Sequence, residues 1–211
     1  MDELYTGKRR SVLVTISLVI FLIMAIVLIS SFWPKYEQQF IEMGLLGKDK
    51  LADDYFSNDN STVLIHSQVD WYIFFHNHME GSKNVLLKVK LLNSSMVVSN
   101  DQKYEPSPFG SFTELELFLD ENETLLVPFF WSIEEASSQN NLFSLKYLMV
   151  NDKIVEVDVS TFSDSFFQMV FELWIYDTSS QDYKFEWSSG NFYSSVSLYI
   201  GFRVADPSIF S

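Results

Sequence analysis

The chain of 211 residues contains no cysteine. This absence excludes disulfide bonds, thiolate metal sites, Cys-x-x-Cys redox chemistry and a cysteine nucleophile. Any domain formed by this chain must therefore gain its stability from a packed core rather than from covalent cross-links. A chain of this length is long enough to bury such a core.

Sequence motifs of the common enzyme classes are also missing. The chain has no Gly-x-Ser-x-Gly, Walker A, Gly-x-Gly-x-x-Gly or His-Glu-x-x-His arrangement, and its seven glycines are too scattered to form a phosphate-binding loop. Serine pairs at 137–138, 179–180 and 188–189 have no nearby base and are typical of solvated turns. We therefore predict that the chain is not an enzyme and holds no cofactor.

Positive charge is scarce. The chain has 14 Lys and Arg against 28 Asp and Glu, a formal net charge of -14. An acidic surface repels phosphate backbones, so the composition argues against a nucleic-acid partner. Acidic stretches at 58–60 and 120–123 offer oxygen ligands to calcium, but neither fits the twelve-residue calcium-binding loop, and solvated turns are the simpler interpretation.

One long uncharged run, residues 11–33, stands out near the N-terminus. Its 23 residues would cross about 30 Å of hydrocarbon as a helix, and they exceed the apolar part of a cleaved signal peptide. Lys8, Arg9 and Arg10 precede the run. The positive-inside rule then predicts a cytoplasmic tail at 1–10, a transmembrane helix at 11–33, and a single-pass protein of the cell membrane with its C-terminal part outside.

Three Asn-x-Ser/Thr sequons follow this run, at Asn60, Asn93 and Asn122. All three lie in polar, turn-like stretches downstream of the predicted anchor. They are candidate glycosylation sites, and their position agrees with an exterior location of this part of the chain.

Beyond a predicted connector at 34–60, the sequence alternates with a period of two. Apolar residues occupy every second position in 85–91, 115–119, 155–159 and 167–175, with charged residues between several of them, and Asn151-Asp152 is typical of a hairpin turn. We predict an all-β domain at 61–211, an antiparallel sandwich of seven or eight strands. The only helical candidate in this domain is 133–138.

The aromatic residues Tyr183, Phe185 and Trp187 also alternate. At strand spacing they are expected to belong to the core, with a carbohydrate or ligand platform as the alternative.

The most specific prediction of a functional site concerns the three histidines. His76 and His78 are two positions apart on a predicted strand, so they share one face, where imidazoles can chelate copper or zinc with His66 as a third ligand. The alternative is that His76 and His78 are half-exposed polar positions opposite the apolar face that carries Trp71 and Phe75.

Three segments, 40–55, 69–93 and 171–187, resemble an uncharacterised domain of archaeal membrane proteins. The matching motifs are Leu46-Gly47, Asp53-Asp54 and Asn77-His78. The resemblance implies an immunoglobulin-like sandwich in an archaeal envelope, and it transfers no catalytic residue. Because such proteins occur in ammonia-oxidising archaea, it also suggests an accessory role in a copper-dependent membrane oxygenase.

Together these features predict a membrane-anchored, extracytoplasmic interaction module. It would be an accessory or structural subunit whose partners are other membrane or envelope proteins. The alternative function is metal binding or metal delivery through His66, His76 and His78.

Overall fold

The structure of the protein is a computed structural model that describes residues 16–28, 39–56, 61–140, 142–162, 165–189 and 192–205. The chain divides into two compact units, Met1–Glu37 and Gln38–Ser211. Lys8, Arg9, Arg10 and the sequon residue Asn60 lie outside the described residues.

The described part of the first unit is one helix at 16–28. At about 1.5 Å per residue the described part of this helix is about 20 Å long, whereas the hydrocarbon core of a bilayer is about 30 Å thick. Within the described ranges, no helix is both long and apolar enough to cross a membrane. The prediction of a single-pass protein of the cell membrane was therefore wrong. It rested on the uncharged run 11–33, of which the structure describes residues 16–28.

The second unit is built almost entirely of strands. The described residues form thirteen of them: β1 (Ile41–Leu46), β2 (Thr62–Leu64), β3 (Val69–Asn77), β4 (Lys83–Asn93), β5 (Thr113–Leu119), β6 (Thr124–Gln139), β7 (Leu142–Val150), β8 (Lys153–Phe162), β9 (Phe166–Asp177), β10 (Asp182–Lys184), β11 (Trp187–Ser189), β12 (Phe192–Ser194) and β13 (Val196–Ala205). The predicted all-β class is confirmed.

These strands form two large sheets and one small one. The five-stranded sheet has the order β1-β3-β6-β7-β8, and the six-stranded sheet has the order β2-β13-β9-β4-β5 with β10 added to β9. Strands β11 and β12 form a separate hairpin. All neighbouring strands are antiparallel except β2 and β13, which run parallel. Strand β1 comes from the predicted connector at 34–60 and forms an edge of the five-stranded sheet.

The inner faces of the two large sheets meet in one hydrophobic core. Burial alternates along β3, where Trp71, Ile73 and Phe75 are fully buried and the residues between them are half-buried. The Trp71 ring packs against Phe129, Trp131 and Phe171, and so joins both sheets. The predicted alternation of apolar residues therefore marks the faces that form the core.

Two local predictions have opposite outcomes. Asn151 and Asp152 connect β7 to β8, both with positive φ, so the predicted hairpin turn is confirmed. The predicted helix at 133–138 is wrong, because these residues belong to strand β6. The pairing of β6 with β7 shifts register twice, between Ile133 and Ala136. Such bulges interrupt the alternation of apolar and polar residues, so the sequence of this stretch lacks the pattern that indicates a strand.

Candidate functional site

His76 and His78 do lie together, at the end of β3. Their ring centroids are 4.1 Å apart. The His76 Nδ1 atom is 2.6 Å from the Thr124 hydroxyl oxygen. The His78 Nε2 atom is 3.3 Å from a Glu42 carboxylate oxygen, and the His78 ring stacks on Phe40. Both imidazoles thus already have protein partners.

His66 lies elsewhere. Its backbone N–H donates to the Ile133 carbonyl, and its ring is 3.6 Å from Glu134. His76, by contrast, is paired across the sheet with Thr124. Ile133 and Thr124 are separated along β6 by about 30 Å at strand spacing. The structure therefore does not bring the three histidines together, and the described residues contain no group of three or more His, Asp or Glu that could hold a metal ion.

We expect the purified protein to hold far less than one copper or zinc ion per chain. Two imidazoles that are already hydrogen-bonded and lack a third convergent ligand make at best a weak, exposed site. Elemental analysis after gel filtration tests this, with His66→Ala as the matched control. One ion per chain, lost in the double variant His76→Ala/His78→Ala while its circular dichroism is unchanged, would contradict the expectation.

Two of the three sequons lie in the described residues. The Asn93 side-chain nitrogen, the atom that would carry a glycan, donates to the Ser160 carbonyl at 2.6 Å. Its oxygen accepts hydrogen bonds from Ser95. Asn122 is exposed in the turn between β5 and β6 with a φ of 60°. Asn122 is thus accessible in the folded chain, whereas the Asn93 amide is occupied by hydrogen bonds to other residues of the chain.

A buried ion pair lies on the outer side of the six-stranded sheet. Lys90 on β4 and Glu172 on β9 are 4% and 0% exposed, and their charged atoms are 2.8 Å apart. Glu172 also accepts hydrogen bonds from the Ser107 backbone N–H, the Ser99 hydroxyl and the Trp174 indole. Lys90 donates to the Ser107 carbonyl. The network thus fastens the segment between β4 and β5 across the outer face of the sheet.

This pair was not predicted from the sequence. Lys88 and Lys90 alternate with apolar residues, which indicates a solvated outer face, but the covering segment buries Lys90. A signal was present in the stretch 169–174, where apolar residues surround Glu172 on both sides. Such nearly continuous runs are typical of strands buried on both faces.

A cavity of about 600 Å³ opens where β4 begins and β9 ends. We call it the hairpin pocket, because the β9–β10 and β11–β12 hairpins supply much of its wall. Its lining includes Lys83, Tyr176, Asp177, Lys184, Trp187 and Tyr193. Lys184 pairs with Asp177. Together with hydrogen bonds from Ser179 and Ser180, it holds the pKa of the Asp177 carboxyl well below its usual range.

The outer side of the five-stranded sheet is rich in apolar and aromatic residues. Because β3, β6 and β7 alternate, the residues between the core positions point away from the core. We call this surface the aromatic face; it comprises Tyr72, Phe74, Leu126, Pro128, Phe130, Met149 and Ile154. The Tyr72 and Phe130 rings meet edge to face at 5.9 Å, and the Lys50 ammonium lies 5.0 Å from the Tyr72 ring centre.

The chain matches no protein-family model and no curated protein. Among solved structures it is similar to a CARDB domain from Pyrococcus furiosus, crystallised with di-metal ions, at 8% identity and a TM-score of 0.40 over 81% of this chain and 91% of that one. It is also similar to part of a β-glucosidase from Listeria innocua, at 10% identity and a TM-score of 0.35 over 79% of this chain and 16% of that one. Likenesses at this level carry no information about ligand or activity.

Proposed function

We propose that this β-sandwich is a non-catalytic protein-interaction module that serves as an accessory or structural subunit of a larger assembly. The lack of catalytic motifs supports the proposal. So does the resemblance of its segments to an immunoglobulin-like exterior domain of an uncharacterised archaeal family. The observation that carries the proposal is the aromatic face.

The aromatic face has the composition of a protein-binding surface. Aromatic residues and methionine are enriched in interfaces, and large aromatic side chains commonly supply most of the binding energy. Tyr72 and Phe130 hold each other in place and sit on hydrogen-bonded strands. Binding would therefore order few side chains, which keeps the entropic cost of association low.

The charges around the aromatic face indicate which kind of protein would bind there. Carboxylates of Glu42, Asp70, Asp152 and Glu156 on β1, β3 and the β7–β8 hairpin outnumber the ammonium groups of Lys50 and Lys153. With a net charge of -14, two copies of this chain repel each other. The partner is therefore a different protein with an apolar centre and a rim of Lys or Arg.

Photo-crosslinking in the native host tests this proposal. A photoreactive amino acid replaces Phe130 in one variant and Phe118 in the matched control. Phe118 is an exposed aromatic residue on β5, at an edge of the other sheet. We expect a discrete adduct with one other protein from position 130 and none from position 118. The captured protein, once purified, should bind the unmodified chain less tightly as salt concentration rises.

Substitution then identifies the binding surface. Tyr72→Ala and Phe130→Ala should each weaken binding of the captured protein at least tenfold, as expected for central aromatic residues, and Phe118→Ala should change it less than twofold. An adduct that contains only a second copy of this chain, equal adducts from both positions, or binding that is insensitive to both substitutions would overturn the proposal.

The alternative function, metal binding or metal delivery, gains no support from the described residues, since His66 lies far from the other two histidines. The suggested role in a copper-dependent oxygenase gains none either.

A further inference from the structure

The five-stranded sheet is stepped along its central strand. Strand β3 pairs with residues 124–131 of β6, whereas β7 pairs only with residues 131–139. On the side of β7, no described strand therefore lies beside residues 124–128. We call this open place the β6 gap. A strand of five residues extends about 17 Å, so the gap has the length of a short strand.

The backbone of β6 is open in this gap. Phe130 directs its N–H and its C=O away from β3, to Asn151 in the β7–β8 turn. Alternate residues of a strand direct these groups to the same side, so those of Thr124, Leu126 and Pro128 face the gap. Pro128 has no N–H, and its carbonyl accepts from the Asn151 side chain at 3.2 Å. Among the described residues, nothing bonds to the backbone N–H or C=O of Thr124 and Leu126.

The hydrophobic core is incompletely covered beneath the gap. Where β7 flanks β6, the inward-facing Trp131 and Ile133 are 1% and 0% exposed. Beside the gap, the inward-facing Leu125 and Val127 pack against the same core but are only half-buried. The outward-facing Leu126 belongs to the aromatic face. An added strand would therefore bury apolar side chains on both faces of the sheet, which favours association.

The charges at the ends of the gap indicate what kind of strand fits. Asp120, Glu121 and Glu123 lie at the β5–β6 turn, at one end, and Asp152 and Lys153 lie at the β7–β8 turn, at the other. The first end is acidic and the second is balanced, so Lys or Arg is favoured at the first. A strand from a second copy is disfavoured, because the chain has a net charge of -14.

We propose that the partner inserts an extended segment of about five or six residues into the β6 gap and so adds a strand to the five-stranded sheet. The segment has alternating apolar residues, and Lys or Arg where it meets the β5–β6 turn. Main-chain hydrogen bonds to Thr124 and Leu126 hold it, and its outward side chains extend the aromatic face. This inference rests on the proposed interaction module and specifies how its partner binds.

Amide hydrogen exchange of the free full chain, measured by NMR, tests whether the gap is open. The N–H groups of Leu125 and Val127 point toward β3 and should exchange slowly. The N–H of Leu126, between them, should exchange about a hundredfold faster. A slowly exchanging Leu126 would show that the chain itself fills the gap, which would overturn the proposal.

The variant Leu126→Pro tests the docking itself. Proline removes a donor from the gap but no hydrogen bond to β3, and Pro128 already occupies an equivalent position of the strand. Leu126→Val is the matched control, because it keeps the N–H. The probes are random twelve-residue peptides displayed on phage and selected on the immobilised full chain. We expect them to alternate apolar residues and to carry Lys or Arg. Leu126→Pro should weaken their binding at least about tenfold, and Leu126→Val less than about threefold.

Thermal unfolding by circular dichroism checks that both variants fold. If Leu126→Pro does not fold, hydrogen exchange of the unmodified chain with a selected peptide decides the question. Slower exchange at Leu126 would support the added strand, and an unchanged rate would overturn it. A library that yields no binding peptide, or peptides that bind both variants equally, would also overturn it.

The protein captured by crosslinking at position 130 separates this inference from the proposed function. If that protein binds Leu126→Pro as tightly as the unmodified chain, the added strand is refuted and the interaction module stands. If no protein is captured but the peptides depend on the Leu126 N–H, the gap binds a strand and the proposal for the aromatic face fails.

Discussion

Replacing Lys90 with methionine is expected to lower the free energy of unfolding by about 3–5 kcal/mol. Methionine fills a similar volume but leaves the fully buried Glu172 carboxylate without its cation. An unpaired charge that is buried away from water costs far more free energy than the ion pair itself contributes to stability. Chemical denaturation followed by the fluorescence of the buried tryptophans measures this loss.

Lys88→Met is the matched control. Lys88 lies on the same strand and the same face, but it is 25% exposed, 3.8 Å from Glu114, and packs over the Trp174 ring. The substitution Lys88→Met should lower the free energy of unfolding by about 1 kcal/mol or less, as is usual for the loss of an exposed ion pair. Adding Glu172→Gln to Lys90→Met should recover much of the stability, because the neutral amide oxygen still accepts from Ser107. Equal costs for Lys90→Met and Lys88→Met would show that Glu172 is not buried as an ion.

Trp71→Ala is expected to be equally damaging, at about 3–5 kcal/mol. Trp71 is completely buried, and its ring contacts Phe129 and Trp131 in one sheet and Phe171 in the other. The substitution therefore opens a cavity at the junction of both sheets. It also removes the hydrogen bond from the indole N–H to the Tyr55 carbonyl, at 2.6 Å.

The control for this prediction is Phe118→Ala, which removes an aromatic ring that is 58% exposed. We expect this substitution to lower the free energy of unfolding by no more than about 0.5 kcal/mol, because surface substitutions of this kind remove few packing contacts. Thermal unfolding by circular dichroism should show a large drop in the midpoint for Trp71→Ala and a small one for Phe118→Ala. Similar midpoints for both variants would mean that the two sheets are not held together through Trp71.

The buried ion pair is also connected to the hairpin pocket. Lys90 and Glu172 fasten the segment between β4 and β5 through Ser107. From the same segment, Asp101 accepts hydrogen bonds from Ser197. Tyr104 contacts the ring of Tyr193 on the pocket wall at 6.2 Å. The sequence pattern around Lys90 is typical of a solvated strand face. In the structure, Lys90 and Glu172 instead form a buried charged network that helps to position the pocket.

Elements with a regular pattern were predictable from local sequence. Alternation along β3, β4 and β9 correctly identified the core faces, because successive side chains on a strand point to opposite sides. Asn151-Asp152 correctly marked a tight turn, because both residues tolerate positive φ. The bulged part of β6 was misassigned, because a register shift breaks the alternation without leaving a local signature.

By itself, the sequence determined that this protein is a cysteine-free, acidic β domain whose apolar residues alternate along antiparallel strands. These properties follow from composition and from the period of two, which are local. Only the tertiary structure decided that Lys90 is buried against Glu172, that His66 lies far from His76 and His78, and that Lys83 faces the same pocket as Trp187. The physical reason is that burial and proximity depend on which distant segments cover each strand, and no local pattern encodes that choice.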